Sequence, residues 1–246
     1  MADSVAVFSP QSILYEDNHL LVVIKPAGML SQSDISKDPD ILTELKNYLR
    51  VTYDKPGNVF LGLVHRLDRP VGGVMVFART SKAASRLCAQ LRGQTWNKIY
   101  LAIVQGVMEK EQGMVEHYLA KNWRRNTVSV LTEAAEGSKY SRLTYRVLGT
   151  VENLSLLEVT LHTGRAHQIR AQLSAIGYPL WGDCRYGMPT GANREAPMDM
   201  LSQPALWAYR LEFDHPISQE RQRFVAPPPQ TIPWKYFFTV LRDFLT

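Results

Sequence analysis

Ile99-Tyr-Leu-Ala-Ile-Val104 opens the stretch of the chain that decides its fold. From here to His162, short runs rich in β-branched, aromatic and other apolar residues follow one another, separated by turn residues. We predict five strands in this stretch, at Ile99–Val104, Val115–Leu119, Thr127–Leu131, Tyr140–Leu148 and Leu154–His162.

Further strands and a few helices flank this stretch. The predicted strands are Ile13–Glu16, Leu20–Ile24, Val74–Ala78 and Leu206–Phe213, and the predicted helices are Ile41–Val51 behind an Asp40 cap, a segment capped by Ser81, Ala166–Ile176 and Trp234–Phe244. Strands outnumber helices and do not alternate with them regularly. The sequence therefore predicts an α+β fold with a mixed, largely antiparallel sheet flanked by helices and loops.

The composition fits a globular protein. Of 246 residues, 45% are hydrophobic, enough to bury a core, so general disorder is excluded. No apolar run approaches the roughly 20 residues of a membrane helix, and the first residues do not resemble a secretory signal. Cys88 and Cys184 are too few for a disulfide framework. We expect a cytoplasmic protein without a membrane association.

Positive charge is concentrated in the middle of the chain. Residues 61–130 hold eleven Lys and Arg against four Asp and Glu, a local charge of +7, whereas residues 1–60 carry −3. Such a segment indicates an anionic partner, most often nucleic acid, although a solvated surface has the same composition.

Asp68 lies in the charged cluster His65-Arg-Leu-Asp-Arg69, just before the glycine pair Gly72-Gly73. Two flanking arginines favour the ionised carboxylate, which in a loop can act as nucleophile, general base or metal ligand. The other interpretation is a cluster of surface salt bridges.

A second concentration is Leu161-His-Thr-Gly-Arg-Ala-His-Gln-Ile-Arg170, where a strand ends and a helix begins. Arg165 is predicted at this corner, a position from which side chains project towards the end of a sheet. His162 and His167 fall on different elements and have no third ligand at a regular spacing, so hydrogen-bonded histidines are favoured over a metal site.

Two further features suit RNA. Tyr100 lies in a predicted strand, where it either packs in the core or stacks on a flat base. The predicted turn Lys121-Asn-Trp-Arg-Arg125 places three cations and an indole at a hairpin end, as phosphate contact and base stacking require. A merely soluble turn is the other interpretation.

His65-Arg-Leu-Asp-Arg69, followed by Gly73, resembles the H-R-L-D signature of the RluA-type family of RNA pseudouridine synthases. Four more stretches resemble the family's blocks in the same order: Lys25-Pro-Ala-Gly28 (K-P-x-G), Lys98-Ile-Tyr100 (K-x-Y), Leu161–Arg170 (L-x-T-G-R-x-H-Q-I-R) and Gly177–Gly187 (G-x-P-L-x-G-D-x-x-Y-G). The five ordered blocks span residues 25–187, about two-thirds of the chain. The resemblance depends on all five blocks together, since each is too short to identify the family alone.

The resemblance implies the roles of individual residues. Asp68 corresponds to the catalytic aspartate, Tyr100 lies against the target uracil, Arg165 pairs with Asp68, and Arg66 contacts RNA where the target nucleotide is flipped out. The full set expected to bind RNA is Arg66, Arg69, Lys121, Trp123, Arg124, Arg125 and Arg170. Whether Asp68 attacks the sugar or the base, or abstracts a sugar proton, is left open.

The resemblance also implies the pseudouridine synthase catalytic fold, as one domain over residues 1–246. Many relatives carry a small S4-like RNA-binding module at the N-terminus, for which there is no room before residue 13, so we expect a stand-alone catalytic domain. The reaction is an isomerisation that consumes nothing, so no cofactor is expected, and the chain has no P-loop or dinucleotide fingerprint. The expected partner is an rRNA or tRNA stem-loop, bound by a monomer with no obligate protein partner. One departure is Pro70-Val71-Gly72, where relatives commonly carry hydroxyl residues.

Two other functions compete with an active synthase. One is an RNA-binding protein on the same fold that no longer catalyses. The other is a metal-dependent RNA hydrolase using Asp68, His65, His162 and His167. Retention of Asp68, Tyr100 and Arg165 together argues against the first, because binding alone needs no carboxylate in the path of an anionic ligand.

Overall fold

The computed structural model describes residues 8–187 and 203–245. Within these ranges the helices and strands are, in chain order, β1 (Ile13–Glu16), β2 (Leu20–Lys25), α1 (Ile41–Thr52), β3 (Gly62–Leu63), β4 (Gly72–Ala78), α2 (Ser81–Arg92), β5 (Asn97–Gln105), β6 (Gln112–Asn122), β7 (Thr127–Leu131), β8 (Ser138–Val151), β9 (Leu154–Leu161), α3 (Gln168–Ala175), β10 (Leu206–Asp214), β11 (Arg221–Val225) and α4 (Phe238–Leu245). Single 3₁₀ turns lie at Pro10–Ser12 and Trp234–Phe237. The predicted α+β class with a largely antiparallel sheet is confirmed.

The described chain forms two compact units. The first runs up to Asn97 and adds Ala208–Ala226. Its strands lie in the order β1-β2-β4-β10, with β3 on β4 and β11 on β10. β2 and β4 consist almost wholly of buried apolar residues, as their sequences predict, and α2 packs on β4. Trp96 stacks on Phe213 in the core beneath them, with ring centroids 5.1 Å apart.

The second unit takes the chain from Lys98 to Trp207 and from Pro227 onward. Its strands lie in the order β5-β9-β8-β6-β7, each antiparallel to its neighbour. α3 packs against β6 and β7, and its residues from Gln168 to Leu173 are all buried. The predicted single catalytic domain over residues 1–246 stays a prediction.

One predicted helix cap is confirmed and two predictions at helix starts are corrected. Asp40 caps α1 by accepting a bond from the Thr43 amide, and Gly177 follows α3 with a φ of 91°. The cap of α2 is Thr80, not Ser81, because the Thr80 hydroxyl accepts from the Ala83 amide. α3 starts at Gln168 rather than Ala166. No helix of the described residues is long and apolar enough to span a bilayer.

Candidate active site

Asp68 lies in the first unit, in the loop between β3 and β4. Its side chain is half-buried, and its carbonyl accepts a hydrogen bond from the Val71 amide at 2.9 Å, which closes a turn. Val71 itself is 2% exposed. The departure at Pro70-Val71-Gly72 therefore leaves a closed turn behind the aspartate.

The residue before Asp68 anchors this loop. Leu67 is buried, and the Ser31 hydroxyl bonds both of its main-chain groups: it donates to the carbonyl at 2.7 Å and accepts from the amide at 3.2 Å. His65 is fixed in turn, since its Nε2 accepts from the Val76 amide at 3.0 Å. His65 thus has a structural bond and does not present both ring nitrogens to a metal.

Lys25 holds the residue after Asp68. Its side chain is 0% exposed, and its Nζ donates to the carbonyls of Pro26, Met29 and Arg69 at 2.9, 2.6 and 3.2 Å. Burial lowers the pKa of Lys25 to about 7, Asp68 opposes this shift, and Arg69 adds to it. The lysine of the K-P-x-G block therefore ties its own loop to the Asp68 loop, a role that the sequence analysis missed.

The glycine after Asp68 is required by packing. Gly73 has a φ of 122°, and a Cβ built there would lie 2.2 Å from the carbonyl oxygen of Ala208. A side chain would push β4 away from its neighbour β10. Arg66 and Arg69 are exposed on the loop, and Arg69 forms a surface salt bridge with Asp38 at 2.7 Å.

Arg165 lies in the second unit, at the corner between β9 and α3. It is exposed, and its Nε donates to the Tyr140 carbonyl at 3.1 Å. The corner is built around the buried Gln168, whose Oε1 accepts from the Thr163 hydroxyl at 2.8 Å and from the Arg165 amide at 3.0 Å. Thr163 and Gln168 were not singled out from the sequence, although both belong to the matched block. The predicted pairing of Arg165 with Asp68 joins residues of different units and stays a prediction.

Cations gather around this corner. The Nζ of the half-buried Lys98 lies beside Gly164: a Cβ built on this glycine would be 3.3 Å from it. Burial and the Arg165 charge lower the pKa of Lys98, and burial, Arg142 and Lys98 lower the pKa of His162. Beside the effect of burial, these shifts place the charges of Lys98, Arg142 and Arg165 close to this corner, and a bound anion would stabilise them. Tyr100, two residues along β5, is half-buried and pairs in register with Val159.

The predicted RNA-binding turn is the tip of the β6–β7 hairpin. Trp123 is 79% exposed, and the Lys121 Nζ lies 4.1 Å from the centroid of its indole ring. Arg124 and Arg125 are exposed as well. The Arg125 amide donates to the Asn122 side chain at 3.1 Å, which organises the turn.

Tyr186 connects this hairpin to the start of α3. Its hydroxyl accepts from the Val128 amide at 2.8 Å and lies 2.7 Å from Nδ1 of His167. Arg185 adds a second tether by donating to the Asn126 carbonyl. Tyr186 was part of a matched block, but only the structure assigns it this role.

Arg170 requires a correction. It was predicted to bind RNA, but its side chain is 6% exposed and forms two hydrogen bonds with Asp183, at 2.7 Å from Nε and 2.8 Å from Nη2. Asp183 is buried and also accepts from the Arg185 and Tyr186 amides. A guanidinium enclosed in such a pair is not available to phosphate, so Arg170 is removed from the RNA-binding set.

Comparisons with known proteins identify the family of the chain. A family model described as RNA pseudouridylate synthase matches residues 19–175. The chain is 36% identical to the ribosomal large subunit pseudouridine synthase D of Zymomonas mobilis, with 90% of this chain and 70% of that protein aligned. It is 34% identical to the protein of the same name from Pseudomonas aeruginosa, covering 90% and 69%. Among solved structures, the human RNA pseudouridylate synthase domain containing 4 has a TM-score of 0.75 at 22% identity, over 94% of this chain and 93% of that one, which shows a shared fold.

Proposed function

This chain belongs to the RNA pseudouridine synthase family, and we propose that it isomerises uridine in large-subunit ribosomal RNA with Asp68 as its essential carboxylate. In this reaction the bond from the ribose to the uracil nitrogen breaks, and a bond from the ribose to a uracil carbon forms. That carbon loses a proton and the nitrogen gains one. The product has the atoms of the substrate, so the enzyme needs no co-substrate.

The observation that carries the proposal is the construction of the Asp68 loop. Ser31 clamps the residue before the aspartate, Lys25 binds the carbonyl of the residue after it, and the Val71 amide closes the turn. A surface salt-bridge cluster needs no such main-chain restraint on both sides. A carboxylate that must meet one atom of a substrate does, because misplacement by about 1 Å can lower a rate about 100-fold.

We assign the remaining roles as the family resemblance implies. Tyr100 lies against the uracil and is the candidate for handling its proton. Arg165 pairs with the Asp68 carboxylate, and the exposed Arg66 contacts the RNA beside the flipped nucleotide. Flipping the nucleotide costs a few kcal/mol, which contacts with the RNA backbone must supply.

Two groups of cations support RNA as the ligand. One is the set around the Arg165 corner, where the Arg165 charge adds to the burial that lowers the pKa of Lys98. The other is the hairpin tip, where Lys121 lies over the exposed Trp123 and the exposed Arg124 and Arg125 follow it in the chain. Phosphate contacts of this kind give affinity that falls with salt.

Ribosomal RNA is favoured over tRNA by the names of the similar proteins from Zymomonas and Pseudomonas. We expect the chain to act in the cytoplasm as a monomer. Light scattering on the purified protein tests the monomer, and fractionation of the cells that express it tests the location.

The decisive experiment maps pseudouridine across total RNA from cells with the wild-type chain, without it, and with Asp68→Asn. A site in large-subunit rRNA should be modified by the wild type alone. Asp54→Asn is the matched control, since Asp54 is exposed and has a φ of 46°, which asparagine adopts as readily as aspartate. Near-normal modification by Asp68→Asn would contradict the assigned carboxylate.

The same assay decides between the competing functions. An RNA-binding protein without activity would bind rRNA and leave every uridine unchanged. A metal-dependent hydrolase would cut the RNA and stop working in the presence of a chelator. We expect modification that survives the chelator and leaves the RNA chain intact.

A further inference from the structure

The five tryptophans of the chain divide into four that are buried and one that is not. Trp96, Trp181, Trp207 and Trp234 are at most 9% exposed, whereas Trp123 is 79% exposed at the tip of the β6–β7 hairpin. A single exposed apolar side chain is ordinary on a protein surface and needs no explanation. Trp123 differs from such a side chain because its backbone is restrained and its neighbours are cations.

Three hydrogen bonds restrain the hairpin tip. The Asn122 side chain accepts from the Arg125 amide, Arg185 donates to the Asn126 carbonyl, and the Val128 amide donates to the Tyr186 hydroxyl. These bonds fix the backbone from which the indole projects.

The charges at the tip are all of one sign. Lys121, Arg124 and Arg125 lie within five residues, and no Asp or Glu occurs between residues 117 and 132. The Lys121 ammonium covers one face of the indole at 4.1 Å from the ring centroid, so the ring has a second face for another flat group. A shallow cleft of about 480 Å³ lies here, lined by Ala120, Lys121, Asn122, Trp123, Arg124 and Ser129.

We propose that Trp123 and Lys121 form a stacking subsite for an unpaired nucleobase of the RNA, separate from the target uridine, with Arg124 and Arg125 on the adjoining phosphates. The proposal rests on the proposed function only in taking RNA as the ligand. The occupant is an unpaired base, because a base inside a duplex has both faces covered by its neighbours and cannot stack on an indole. A protein partner is not the expected occupant, because one indole among three cations lacks the apolar centre of a protein–protein interface.

The subsite restricts the RNA substrates that the enzyme prefers. Aromatic stacking accepts any base, so the tip recognises strandedness rather than sequence. The RNA that this enzyme prefers should have a single-stranded nucleotide within reach of the hairpin, as in a loop or bulge. A continuous duplex of the same charge should bind through its phosphates alone.

The test measures binding of three eight-nucleotide RNA probes: a single strand of mixed sequence, the same strand paired with its complement, and an abasic strand that keeps every sugar and phosphate. Trp123→Ala should weaken binding of the single strand at least about fivefold, the lower end for loss of one stacked base. Its effect on the duplex and on the abasic strand should stay within about twofold. Equal weakening of all three probes, or of none, would overturn the proposal.

Matched variants separate stacking from charge and from folding. Trp123→Phe should retain most of the affinity for the single strand, because a phenyl ring still stacks. Tyr236→Ala, which removes another half-exposed aromatic ring of the same unit, should have no effect. Acrylamide quenching gives a direct readout, since Trp123 is the accessible tryptophan: the single strand should protect it, and the abasic strand should not.

Pseudouridine formation is assayed separately on large-subunit rRNA, so the two proposals fail in different ways. Selective loss of single-strand binding in Trp123→Ala supports the subsite even if the wild type forms no pseudouridine, and only the proposed function then fails. Normal pseudouridine formation with unselective binding by Trp123→Ala overturns the subsite and leaves the proposed function standing.

Discussion

Replacing Arg170 by alanine should destabilise the protein without touching its RNA contacts. The guanidinium and the Asp183 carboxylate are 6% and 0% exposed and share two hydrogen bonds of 2.7 and 2.8 Å. Removing one partner of such a pair leaves an uncompensated buried charge, which costs about 3–5 kcal/mol. Two amides, from Arg185 and Tyr186, still bond the carboxylate in the variant. We therefore expect a loss near the lower limit, about 3 kcal/mol.

The assay is thermal unfolding followed by circular dichroism. In a chain of this size, 1 kcal/mol corresponds to about 2–4 °C, so the midpoint should fall by about 6–12 °C. Arg146→Ala is the matched control, because Arg146 pairs with Glu158 at 3.3 Å but is more than half exposed. Exposed pairs contribute about 0–1 kcal/mol, so this control should shift the midpoint by no more than about 4 °C.

The loss should also depend on pH. Although burial acts to raise it, the pKa of Asp183 lies below its ordinary value of 3.8 because Arg170 and the two amides stabilise the charged form. A depressed pKa in the folded state means that the pair stabilises fully above the unfolded value and loses that effect as the pH falls through the folded value. The difference between wild type and Arg170→Ala should thus be complete at neutral pH and narrow below about pH 4.

One result would refute this reasoning. If Arg170→Ala left the unfolding midpoint unchanged and lowered the salt dependence of RNA binding, Arg170 would be an RNA contact after all. A double variant, Arg170→Met with Asp183→Asn, removes both charges, keeps an oxygen that accepts from the Arg185 and Tyr186 amides, and should recover much of the lost stability. Failure to recover it would show that the loss came from packing rather than from the unpaired carboxylate.

Three more predictions concern the second unit. Arg165→Met should lower pseudouridine formation about 100-fold or more with an unchanged unfolding midpoint, and a collapsed midpoint instead would make Arg165 structural. Replacing Arg124 and Arg125 by alanine should reduce the slope of log affinity against log salt concentration by about one for each lost phosphate contact. Turnover at saturating RNA should remain nearly unchanged. An unchanged slope would mean that the tip is a solvated turn without a role in RNA binding. Tyr186→Phe should leave the Val128 amide without its acceptor, at a cost of about 1–3 kcal/mol. This loss should appear as faster hydrogen exchange of the Val128 amide. Unaltered exchange would show that Tyr186 does not hold the hairpin.

Most strands of this fold could be predicted because their signals are local. The apolar runs that became β2 and β4 are buried along almost their whole length, so each residue reports its own environment. β6 was predicted over Val115–Leu119 but extends over Gln112–Asn122. None of its outer residues, 112–114 and 120–122, is buried, and the pairing with β8 that extends the strand is a tertiary property.

The corner at α3 shows why Arg170 was assigned to RNA binding in error. The sequence pattern placed the helix start at Ala166 and gave no sign that Arg170 has a buried partner, so Arg170 was treated as a cation available to RNA. His167, however, has a φ of 51°, and the helix begins only at Gln168. The chain therefore changes direction between Arg165 and Arg170, which leaves Arg165 exposed and directs Arg170 into a buried pair with Asp183.

Lys25 marks the limit of what a local pattern can reveal about the candidate site. A lysine at the end of a buried apolar strand ordinarily indicates the return of the chain to solvent, because burying an ammonium without partners is costly. Here three carbonyl oxygens receive the ammonium, and one of them belongs to Arg69, 44 residues further along the chain. No window of sequence around Lys25 contains that acceptor. The same bond that makes burial of Lys25 tolerable also restrains the main chain next to Asp68, so the stability of the first unit and the placement of the proposed catalytic carboxylate depend on one interaction.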